Sequence, residues 1–134
     1  MLKDLNAVAN IAVRDIEAAR KFYGEALGLT EVGREGSEVV AYKSGTSTIY
    51  VYRSDFAGTN RATAMTWSVE GDFESVVREL KSKGIRFEHY EMPNTKVEGD
   101  VHVGNGMKVA WFKDPDGNIL NIAGNESSGK RSAS

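Results

Sequence analysis

The sequence predicts an α+β fold in which two βαβββ modules form a curved, cleft-bearing sheet. Three observations lead there: short apolar runs of strand type, two stretches with helical apolar spacing, and recurrence of the same order in the second half. Val13 and Val69 lie 56 residues apart, and so do Gly28 and Gly84. Four strands with one helix cover only one face of their sheet. Two uncovered faces that curve toward each other would enclose a natural ligand site.

Val8 to Val13 is the first strand-like run, and Asp15 is placed to cap the helix that follows. Ile16, Ala19, Phe22, Tyr23, Ala26 and Leu27 then recur at helical spacing, and Gly28 stands where a helix would end. Leu29–Val32, Glu38–Tyr42 and Thr48–Tyr52 read as three further strands, divided by the turn sequences Gly33-Arg34-Glu35-Gly36 and Ser44-Gly45-Thr46. In the second half, Ala64 to Val69 is a strand and Asp72 a cap. Phe73, Val76, Val77 and Leu80 form the apolar stripe of a second helix that stops at Gly84. Strands follow at Ile85–His89, Lys108–Phe112 and Ile119–Ala123. Glu91 to Gly106 is left as the longest irregular stretch, either a lid or disordered.

The expected organisation is one domain over 1–124, with modules at about 6–53 and 63–123 and a disordered tail at 125–134. With 17 basic and 19 acidic residues and no block of like charge, the chain lacks the basic patch of a nucleic-acid binder. Zero cysteines exclude disulfides, thiolate metal sites and cysteine nucleophiles. No apolar run approaches the roughly 20 residues of a membrane span, and Met1-Leu2-Lys3-Asp4 opens no signal-peptide core, so a cytoplasmic protein is expected.

Three segments carry a specific likeness. Asn10 to Tyr23 with Leu27-Gly28-Leu29 resembles the opening of the glyoxalase/bleomycin-resistance/extradiol-dioxygenase (vicinal oxygen chelate) superfamily. Val77 to Ile85 is similar to its second helix and turn, and Phe112 to Asn118 to its closing hairpin. The likeness spans about residues 6 to 123 and implies the glyoxalase/bleomycin resistance-like fold. Asp114 and Asp116 read as turn formers beside Pro115 and Gly117 rather than as catalytic carboxylates.

Metal-dependent members of that superfamily hold a divalent ion with His and Glu from four strands. The resemblance puts those positions at Val8, Ala64, Asn121 and Tyr50, with Val51 or Tyr52 as alternatives to Tyr50. Val and Ala offer no lone pair, and Asn is a weak neutral ligand. The resemblance therefore implies no metal and no cofactor here. A relocated site would have to use His89 and His102 with Glu88, Glu91, Glu98 or Asp100. The plainer reading is that both histidines are exposed or pack in loops.

Strand alternation places Tyr50 and Tyr52 on one face and Met65 and Trp67 on another. With Trp111 and Asn121 they would line an aromatic cleft, closed by His102 and Phe56 from loops. The plain alternative is that these aromatics fill the cores. Three functions follow. The first is a metal-free binder of a small, largely apolar or aromatic molecule in the cleft between modules, similar to the drug-sequestering bleomycin-resistance branch and homodimeric like it. The second is a lyase or isomerase with a relocated metal, or with His89, His102, Glu38 or Glu91 as base. The third is an accessory dimerising module without ligand.

Overall fold

The computed structural model describes residues 1–126, which belong to two compact units. Of these residues, the first unit comprises Met1–Arg61 with Pro115–Asn118, and the second Ala62–Asp114 with 119–126.

In the first unit, β1 (Ala9–Val13) leads into α1 (Ile16–Arg20), which widens into a π-type coil over Lys21–Ala26. β2 (Thr30–Glu35), β3 (Val39–Ser44) and β4 (Ser47–Arg53) follow. The strand order is β1-β4-β3-β2, with β1 parallel to β4 and the other neighbours antiparallel. Asp15 caps α1 by accepting the Glu17 and Ala18 amides at 3.0 and 3.2 Å, satisfying donors that have no partner within the helix. Alternation sends Ile11, Val13, Val40, Tyr42, Ile49 and Val51 into the core, where they are buried with Ala19 and Tyr23 of the helical segment.

Pro115–Asn118, the connection between the last two strands, packs into this unit. Asp116 Oδ1 accepts the Arg14 amide at 3.1 Å, and Asn118 Nδ2 donates to the Ala12 carbonyl at 2.8 Å. Gly58 has φ +74, and any side chain there would overlap the Asp116 carbonyl oxygen. The turn thus does more than set a hairpin register: it hydrogen-bonds the backbone at the end of β1.

The second unit contains β5 (Thr63–Ser68), α2 (Phe73–Ser82), β6 (Phe87–Glu88), β7 (Lys96–Glu98), β8 (Val101–Gly104), β9 (Met107–Lys113) and β10 (Ile119–Asn125). Its order is β5-β10-β9-β8-β7, with β6 also alongside β9 and β5 parallel to β10. The first-with-last parallel pairing of the first unit therefore recurs. Asp72 caps α2 through the Ser75 amide at 3.2 Å, and Phe73, Val77, Ala110, Phe112, Leu120 and Ile122 are buried.

Two expectations are corrected. The stretch 91–106 is not irregular throughout, because β7 and β8 form an antiparallel hairpin within it. Its two-residue turn places Gly99 at φ 67, a backbone state that glycine reaches without steric cost. The strand expected at Ile85–His89 shrinks to Phe87–Glu88, because β8 occupies the rest of β9's outer edge. The last strand runs through Gly124 to Asn125, paired with Lys108 and Met107. Residues 127–134 of the expected tail lie outside the described residues.

Candidate functional site

Register assembles the first unit's open face from two rows of side chains. One row is Asn10, Tyr50, Ala41 and Gly33, and the next is Ala12, Tyr52, Val39 and Glu35, each running β1-β4-β3-β2. Cross-strand partners share a face, so all eight lie opposite the buried Ile11, Val40, Ile49 and Val51. Gly33 has nothing within 4 Å of where its Cβ would stand, and Ala41 adds only a methyl beside Tyr50. Two large rings next to such small neighbours leave a hollow of about 760 Å³, within the usual range for small-molecule sites. Tyr50 and Tyr52 remain 40% and 36% exposed, so their rings offer stacking surface to a ligand.

The polar groups of the hollow are few. Asn10 Nδ2 donates weakly to the Val8 carbonyl at 3.4 Å. Glu35 is the one carboxylate among the lining residues. Arg34, the one cation among the lining residues, bonds Glu31 through Nε at 3.1 Å, and the same carboxylate takes Arg20 Nε at 3.1 Å. Those hydrogen bonds, the one from Arg34 foremost, hold the Glu31 carboxyl below the usual range, against a smaller opposing effect of desolvation.

A second cluster stands in the second unit. Asn121 pairs in register with Trp111 and Thr66, while His102 pairs with Val109 one row away, so His102, Trp111 and Asn121 share a face. Tyr90 meets Trp111 edge-on at 5.3 Å, and His102 meets it edge-on at 4.8 Å. Trp111 Nε1 donates to Thr63 Oγ1 at 3.1 Å. His102 Nε2 accepts the Tyr90 amide at 2.9 Å, so in the neutral ring the proton sits on Nδ1. His102 Nδ1, Tyr90 Oη and Asn121 Oδ1 are enclosed with no hydrogen-bond partner among the described residues. Burial, with the nearby Glu88 charge, raises the Tyr90 hydroxyl above its ordinary value.

The predicted site residues thus separate into three places. Tyr50 and Tyr52 form the first hollow. Trp111, Asn121 and His102 belong to the second cluster. Met65 and Trp67 do not share that wall: they pair with Leu120 and Ile122 on the core side, and Trp67 stacks on Phe112 at 6.2 Å. Phe56 is 79% exposed in the segment after β4. His102 is neither in a loop nor accessible; it lies on β8 at 2% exposure. Glu38 and Glu91, considered as buried bases, are both exposed. His89 Nε2 lies 2.9 Å from Asp100 Oδ1, whose other oxygen takes Lys81 Nζ at 2.7 Å. Asn10, Gly33, Arg34, Glu35, Val39 and Ala41 of the hollow, and Tyr90 of the second cluster, are not among the site residues expected from sequence. Extending the alternation of Tyr50 and Tyr52 to the neighbouring strands would have found Val39 and Ala41.

A sequence model of the Glyoxalase/Bleomycin resistance protein/Dioxygenase superfamily matches residues 5–122. The chain belongs to that superfamily. Solved structures agree in fold. One is a glyoxalase/bleomycin resistance protein/dioxygenase from Alicyclobacillus acidocaldarius, with TM-score 0.67 and 19% identity, covering 90% of this chain and 90% of that one. Another is a lactoylglutathione lyase from Agrobacterium tumefaciens, with TM-score 0.66 and 16% identity over 89% and 92% of the two chains. A third is an antibiotic binding protein from a Streptomyces species, with TM-score 0.62 and 18% identity over 89% and 93%. Comparison with the curated proteins gives no match.

The positions that the resemblance assigns to metal ligands do not fit a divalent ion. Val8 and Ala64 have no donor atom, Asn121 offers a neutral amide, and Tyr50 offers a phenol in the hollow. Of the alternatives to Tyr50, Val51 turns into the core and Tyr52 is a second phenol. Among the described residues, no three His, Asp or Glu side chains group so as to hold an ion elsewhere.

Proposed function

We propose that this protein binds a small, largely apolar aromatic molecule on the open face of its first sheet, without a metal ion, and holds it rather than transforming it. The observation that carries the reading is the pair of half-exposed tyrosines beside the small residues Ala41 and Gly33, which together open a hollow of about 760 Å³. Apolar surface with a few polar tips suits a conjugated ring system. The imidazoles, the groups nearest to catalytic use, are engaged: His102 Nε2 by the Tyr90 amide, and His89 by Asp100. The antibiotic binding protein among the structural relatives makes drug-like molecules a reasonable class to try first.

Calorimetric titration with planar aromatic probes tests this. Binding is expected at one site per chain. Ala41→Leu fills the hollow and should weaken it by at least about tenfold, the order expected when apolar contact area is lost. The thermal midpoint should hold, because the added side chain enters open space. Binding that survives Ala41→Leu, or no binding by any planar probe, would overturn the reading. A homodimer is part of the proposal, since β2 presents a wholly exposed outer edge with Val32 55% exposed. Sedimentation equilibrium giving the monomer mass at all concentrations would remove that part.

A further inference from the structure

We infer that the ligand of this hollow carries a positive charge at one end, received by Glu35; this rests on the binding reading above and specifies the ligand's class. The second row of the open face runs Glu35, Val39, Tyr52. Adjacent strands stand about 4.8 Å apart, so the carboxylate and the tyrosine flank Val39 at a span of about 10 Å. A ring system two to three rings wide can lie across Val39, with its face or edge against Tyr52 and its end at Glu35.

Charge supplies the second half of the inference. Glu35 forms no ion pair and no side-chain hydrogen bond among the described residues, whereas the adjacent Arg34 is tied to Glu31. Glu31 also bonds Arg20, which bonds Glu17 as well, so the two guanidiniums are matched by two carboxylates other than Glu35. The remaining polar groups of the hollow are two phenols, an amide and the Arg34 guanidinium, which is already bonded to Glu31. An uncompensated carboxylate beside two exposed aromatic rings attracts a cation twice over, by direct Coulomb attraction and by the negative ring faces. The same arrangement repels an anion. The class is therefore a flat conjugated molecule with a protonated amine or fixed cationic group at its edge. The competing account is a solvated glutamate that only keeps the edge strand β2 from pairing, and it predicts no effect of ligand charge.

The whole chain is titrated by calorimetry with three anthracenes bearing an aminomethyl, a hydroxymethyl or a carboxylate group, in low and in moderate salt. The cation should bind at least about tenfold more tightly than the neutral alcohol in low salt, with the anion weakest, and salt should narrow the spread. Glu35→Gln should lower the cation's affinity to about that of the alcohol, abolishing the preference for the cation. Tyr52→Ala should weaken all three. Equal binding of the three probes, or a cation preference that survives Glu35→Gln, overturns the inference while leaving the binding reading in place. Failure of every probe to bind overturns the binding reading and this inference with it. Glu35 is exposed, so the substitution does not put the fold at risk.

Discussion

The imidazole of His102 joins two parts of its unit that the backbone alone does not. It sits at 2% exposure on β8, takes the Tyr90 amide proton at 2.9 Å, and lies edge-on to Trp111 at 4.8 Å. Removing the ring takes away the acceptor for a half-buried amide and leaves a cavity against Trp111. A buried donor left unsatisfied costs about 1–3 kcal/mol, and a cavity of this kind adds to that. His102→Ala should therefore destabilise the protein by about 2–4 kcal/mol, read from the midpoint of urea unfolding. A loss under about 0.5 kcal/mol, the usual range for exposed positions, would mean that the ring is not packed as described. From sequence His102 looked like a loop residue, because glycines at 99, 104 and 106 surround it and no apolar alternation is obvious. The buried partner of an amide twelve residues away cannot be read from local spacing.

At the level of elements, the hairpin β7–β8 is held to α2 by charge. Asp100, just before β8, takes Lys81 of α2 at 2.7 Å and His89 at 2.9 Å, and its side chain is 20% exposed. The Lys81 hydrogen bond, and after it the His89 one, lower the Asp100 carboxyl from its ordinary 3.8. A carboxyl that is more acidic in the folded state stabilises the fold above its unfolded value, and that contribution disappears as pH falls through the lower folded value. Asp100→Asn should thus be less stable than the parent protein at neutral pH, and the gap should close as pH drops below about 3.8. Parallel urea titrations of the two proteins against pH test this, and a gap that stays constant into acid would refute the anchoring. The hairpin was partly legible in the sequence. Asn105-Gly106, which joins β8 to β9, is a strong two-residue turn signal that marks the end of β8, and both residues adopt positive φ (54 and 76). Lys96 and Glu98 hid the strand on the other side, because a short edge strand that is exposed throughout needs no apolar alternation.

On the scale of the molecule, the duplicated order was legible because repetition checks each assignment twice: caps at Asp15 and Asp72, stops at Gly28 and Gly84, and a first strand parallel to the last in both units. The proposed ligand surface was less so, since alternation tells which residues share a face but not which face a helix covers. That ambiguity put Met65 and Trp67 on the wrong side and left the small residues Gly33 and Ala41 unnoticed. The same layout fixes where each unit opens most easily. β3 and β4, like β9 and β10, have neighbours on both sides and carry buried residues, whereas all of β2 and β7 is exposed and each lies at a sheet edge. Local opening follows burial and pairing. Amide hydrogen exchange of dilute protein should therefore be slowest in β3, β4, β9 and β10, and fastest in β2 and β7. Raising the protein concentration should slow β2 if copies meet along its edge, because its outward amides would then be paired, while β7 should not change. Protection of β2 that is already high in dilute solution would contradict the exposed edge, and protection independent of concentration would remove the edge-pairing dimer while leaving the hollow on the sheet face untouched.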